Sequence, residues 1–137
     1  MKKLLFIVSL FAIGITSVMA QNDDDDKIGD KMREYIQQKL RMNKDEARRF
    51  TPVFLQYFHD WRSALKEYRT DRILLTKKIA DVQLRYRSEF RTIVGEKRGN
   101  DVFHQQRLFI KELQNLRNER LQNRPNAPRN RVNNLPD

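Results

Sequence analysis

The sequence predicts an all-α protein of about four helices, folded as an elongated, hairpin-like domain. Three observations carry that prediction. Phe50, Phe54, Tyr57, Trp61, Leu65 and Tyr68 recur every three or four residues, which lays one aromatic stripe along one helical face. The 137 residues include only four Gly and four Pro, too few for the turns of an all-β chain. Charged residues make up 34% and the mean hydropathy is −0.82, so the core has to be narrow, as it is between long amphipathic helices.

The length fits one domain. Cysteine is absent, which excludes a disulfide framework, a thiolate metal site and a cysteine nucleophile. Lys and Arg number 28 against 18 Asp and Glu, a net charge of +10. Such a balance points to nucleic acid, an anionic membrane or acidic proteins as partners. The amino terminus narrows that choice. Residues 1–20 read as a cleaved secretory signal peptide: Lys2 and Lys3 start it, Leu4 to Ile15 are mostly apolar, and Val18-Met19-Ala20 supply the cleavage positions. The apolar run falls short of the ~20 residues that span a bilayer. Export to the periplasm removes chromosomal DNA as a partner.

Residues 21–27, QNDDDDK, read as an acidic, disordered leader. Asp23 to Lys27 also match an enterokinase site; the natural reading is preferred, since a tag directly behind a signal peptide would be unusual. Residues 28–121 form the helical domain. Ile28, Met32, Tyr35, Ile36 and Leu40 predict a short first helix over Ile28 to Arg41. Asn43 caps the second: its side chain accepts from the first turn, and Glu46 reaches back to the Asn43 N–H. Pro52 inside that helix predicts a kink near Arg48.

Thr70-Asp71 either interrupts the helix or is crossed by it; a third helix follows to about Val94 with the stripe Leu75, Ile79, Val82, Tyr86, Phe90 and Ile93. Beside it runs a mixed row of Ile73, Lys77, Ala80, Leu84, Arg87 and Arg91. That row is read either as a dimer seam whose rim is covered by long basic stems or as a surface for a partner. Gly95 breaks the chain, and Gly99 is expected to weaken the next turns by roughly 1 kcal/mol relative to Ala, so that helix four frays or begins only at Asp101. Its stripe is Val102, Phe109, Leu113 and Leu116, ending near Leu121. Residues 122–137, with three prolines and five asparagines, read as a disordered basic tail.

Met42-Asn43-Lys44-Asp45-Glu46-Ala47-Arg48-Arg49-Phe50-Thr51-Pro52-Val53-Phe54 resembles the L-T-x-E-Q-A-x-K-F-W-P-x-Y pattern of Spy/CpxP-like (LTXXQ-motif) periplasmic stress proteins. The likeness is to the Bacteroidetes-type branch, often labelled sensors of extracytoplasmic sigma factors. Met42, Asn43, Glu46, Phe50 and Pro52 stand at the motif positions, with Asn43 for the family Thr and Glu46 for the family Gln. A second segment, Gly95 to Phe109, resembles the family pattern S-P-x-K-x-A-x-L-Y-x-A-E-x-x-F, without its Ser-Pro. The resemblance covers about Leu40 to Leu121. It implies a cradle-shaped homodimer, and a role as a holdase chaperone or as a stress sensor.

The residues add little conventional chemistry. His59 and His104 have no histidine three or four residues away, so no metal site is expected. No phosphate-binding glycine loop and no Gly-x-Ser-x-Gly elbow occur. An enzyme, a cofactor and a small-molecule substrate are therefore not expected. The candidate binding surface is apolar and basic: Leu55, Phe58, Ile73 and Leu84 among Arg48, Arg49, Arg62, Lys66, Lys77, Arg87 and Arg91. The leading expectation is an ATP-independent periplasmic holdase that binds unfolded or acidic clients. The alternative is a regulatory sensor binding a membrane signalling protein. An anionic-envelope binder using Arg124, Arg129 and Arg131 ranks last. A homodimer is expected in each case, because a long thin monomer has little core for its surface.

Overall fold

The computed structural model describes residues 19–124, with side chains from Asp24 onward. Residues 1–18 of the expected signal peptide and residues 125–137 of the expected tail lie outside the described residues. The described residues form four helices: α1 (Met19–Lys39), α2 (Lys44–Glu67), α3 (Arg72–Val94) and α4 (Glu96–Gln122). The fold is all-α, as the stripes predict. Each helix packs beside its neighbour in sequence, and α1 also packs beside α4, so the four form a ring.

The aromatic stripe of α2 is the centre of the core. Phe50, Phe54 and Tyr57 have no exposed surface, and Phe90 of α3 lies against all three with ring centroids 5.3–6.4 Å away. Phe103 of α4 meets Tyr57 and Phe90 edge-on. Met32 and Ile36 of α1 close the fourth side.

The connections at one end are tight. The α1–α2 turn is a Schellman motif: the Met42 N–H donates to Gln37 and the Arg41 N–H to Gln38. Its left-handed position is Arg41, at φ 51°, where glycine is usual. Asn43 then caps α2 as expected, accepting from the Glu46 N–H at 2.8 Å. The reciprocal bond differs from expectation: Glu46 accepts from the Asn43 side-chain amide, not its backbone. Pro52 does not end α2, which runs unbroken through it. Pro52 is exposed, so the carbonyl it strips of a partner faces the solvent side.

Two sequence expectations are corrected. The acidic leader is not separate from the domain; it forms the first turns of α1, because Asp25 is bound by Arg62 and Lys66 of α2. Helix four does not fray at Gly99; it starts at Glu96. A Cβ on Gly99 would stand 2.7 Å from the backbone of Arg91, so the missing side chain lets α4 lie directly on α3. Gly95, at φ 88°, both ends α3 and precedes α4.

Candidate functional site

The residues nominated from the sequence fall into three places. The first is the outer face of α3. Ile73, Lys77, Leu84, Arg87 and Arg91 share it, on the side opposite Val82, Tyr86 and Phe90. Ile73 is 86% exposed and Leu84 55%. Lys77 pairs with Asp81 at 3.1 Å, and Arg91 donates to Asn100 of α4 at 2.9 Å. This is the mixed row, and among the described residues nothing covers Ile73 or Leu84.

The second place is a groove between α1 and α2 of about 530 Å³. Leu55, Phe58, Arg62 and Lys66 line its α2 side. Phe58 is not the free apolar surface that the sequence suggested. It is 5% exposed, stacks on Phe54, meets Trp61 at a tilt, and lies under Gly29. Leu55 is half-buried. Across the groove, the Asp25 carboxylate takes a hydrogen bond from Arg62 and another from Lys66 at 3.0 Å. Burial works against its charge, but the Lys66 and Arg62 contacts outweigh it and hold its pKa below the usual aspartate value.

The third place is the start of α2, where Arg48 and Arg49 both bind Asp45, at 2.6 and 3.0 Å. The nearby positions that carry the sequence resemblance have structural partners. Asn43 is a cap, Phe50 is core, and Met42 is half-buried against the core. Glu46 is paired with Arg98 at 2.7 Å, and Arg98 also donates to the carbonyls of Leu40 and Val94. Arg98 thus ties the two turns of this end together. Sequence reasoning gave it no role, because its partners come from three separate segments.

A polar link inside the bundle was also not legible. Asp60 of α2 accepts from Tyr86 at 2.6 Å and faces Arg85 at 3.4 Å. Burial and the Asp60 carboxylate raise the Tyr86 pKa to about 12. Tyr57 donates to Gln106 of α4, and burial raises its pKa to about 12 as well. These bonds join α2 to α3 and α4.

Among the described residues no cluster of His, Asp or Glu could hold a metal ion. His59 and His104 are both exposed. Among the same residues no helix is long and apolar enough to cross a membrane. No family model, no curated protein and no solved structure matches this chain.

Proposed function

We propose that this chain is an ATP-independent holdase of the bacterial periplasm, of the Spy/CpxP-like kind, which binds unfolded or acidic clients. The observation that carries the reading is the outer face of α3. Two large apolar side chains, Ile73 and Leu84, stand out of the monomer on a helix whose neighbouring positions are Lys77, Arg87 and Arg91. Isolated exposed apolar residues need no explanation; a row of them spaced along one cationic helix face supports contact with another chain. The division of labour follows from range. Exposed charges act over about 8 Å at physiological salt, so they govern encounter and its salt dependence. Apolar contact then sets how long the client stays.

The test uses the mature chain and an aggregation-prone protein unfolding without ATP. Aggregation is expected to be suppressed at a few-fold molar excess. Arg87→Glu with Arg91→Glu is expected to slow capture of an acidic client by roughly tenfold at low salt, with little effect at high salt. Ile73→Ser with Leu84→Ser is expected to speed release and leave the helical signal intact, since neither side chain touches the core. If aggregation proceeds unchanged, the holdase reading fails. The sensor reading, in which the same face binds the periplasmic part of a membrane signalling protein, then takes its place.

A further inference from the structure

α1 carries a carboxylate on the stripe that elsewhere faces the core. Asp25, Gly29, Met32 and Ile36 recur at helical spacing; Met32 and Ile36 are buried, and the Asp25 side chain is only 20% exposed. Asp25 bridges Arg62 and Lys66. One turn on, Gly29 lies flat on the Phe58 ring, and a Cβ there would approach it to 2.9 Å. The α2 wall of this groove is thus apolar and cationic, and the α1 turn seated on it is acidic and small.

We propose that the first turns of α1 are a resident occupant of a docking groove on α2. The external partner of that groove is an acidic helical segment with the same two features: a carboxylate for Arg62 and Lys66 and, one turn later, a small residue against Phe58. The inference deepens the holdase reading by naming the client chemistry, and it rests on that reading for where the client comes from.

The seated turn is built to be displaced. Its polar hold is a pair of salt bridges whose cations are partly exposed, Lys66 by 59% and Arg62 by 34%, and such pairs are weak and screened by salt. Its apolar hold is slight, because Ile28 beside it remains exposed. A tethered occupant nonetheless competes at a high effective concentration. An external segment therefore binds with an apparent affinity reduced to the fraction of grooves left open.

The probe is a labelled synthetic peptide spanning Asn22 to Arg33, added to the full mature chain. Two variants unseat the resident turn by different contacts. Asp25→Lys reverses the charge facing Arg62 and Lys66. Gly29→Leu drives a side chain into Phe58 while favouring helix. Circular dichroism and amide exchange at residues 24–30 report whether the bundle holds and the turn is released. With the turn released, peptide affinity is expected to rise about tenfold or more over the natural chain. The gain of the Gly29→Leu variant is expected to vanish when Arg62→Glu and Lys66→Glu are added; they are not combined with Asp25→Lys, where the swapped charges would pair again. Equal binding to the natural chain and to both released variants overturns the proposal, as does a gain that survives loss of Arg62 and Lys66. The peptide assay contains no aggregating client, so failure of the holdase reading is scored separately, in the aggregation assay.

Discussion

At the end where α1 turns into α2 and α3 into α4, Ile36, Phe50, Phe54, Phe90 and Val102 are buried almost completely. At the opposite end the same interior stripes loosen. Trp61, Leu65, Tyr68, Leu75 and Ile79 are only half-buried, and Leu113 and Leu116 are 40% and 52% exposed. The two ends share helix type and stripe period, so period alone does not make a core. Each apolar row needs an apolar row facing it. Tyr35 of α1 meets Phe109 and Glu112 of α4. Continuing that antiparallel register puts Leu113 and Leu116 opposite about residues 28–34 of α1, where Met32 is turned into the core and Ile28 is itself 38% exposed, so neither leucine is covered. The closed end is a scaffold; the loose end and the flanks of α2 and α3 are where surface remains for a partner.

The largest expected difference between the ends is in truncation. Phe54→Ala removes a ring that meets four aromatic neighbours, Phe50, Tyr57, Phe58 and Phe90, and is expected to cost about 3–5 kcal/mol, read as a lower urea midpoint. A cost below about 1 kcal/mol would mean that the closed end is no better packed than the loose one.

Alkali provides an intermediate probe. The Tyr57 hydroxyl has its pKa raised by burial from 10.0 to about 12 in the folded protein. Its neutral form is therefore favoured by folding. That contribution is complete below pH 10 and is lost as pH rises from 10 to about 12. Acid acts on the other end. The lowered pKa of Asp25 means that its contribution is present above the ordinary aspartate range and is lost as pH falls through the lowered value. Alkaline titration is expected to unfold the whole bundle cooperatively, whereas acid first raises amide exchange in residues 24–30. Release of that turn by alkali before the bundle melts would contradict the division.

The smallest effect is expected at Leu116. Leu116→Ser is expected to change stability by no more than about 0.5 kcal/mol, because the side chain is already half in water. A larger loss in the free protein, dependent on protein concentration, would show that a second copy covers this row.

The four helices, the Asn43 cap and the central stripe were legible because they are local. A helical period or a capping side chain is decided within a turn or two. The start of α1 was not legible, since four adjacent aspartates look solvated until Arg62 and Lys66 arrive from α2. The Schellman turn at Arg41 was equally hidden, because the left-handed position holds no glycine.

Among the nominated binding residues, periodicity alone placed Ile73, Lys77, Leu84, Arg87 and Arg91 on one face; Ile73, Lys77, Leu84 and Arg87 stay exposed, whereas α4 half-buries Arg91. Phe58 needed the tertiary structure. Its spacing resembles that of Leu55, and only the approach of Gly29 decides that it is covered. The sequence by itself determined which faces are apolar and the cap that starts α2. Only the packing of α1 on α2 and of α4 on α3 decided which of those faces meet. Burial depends on what lies opposite, and a residue's own neighbours in sequence do not contain that information.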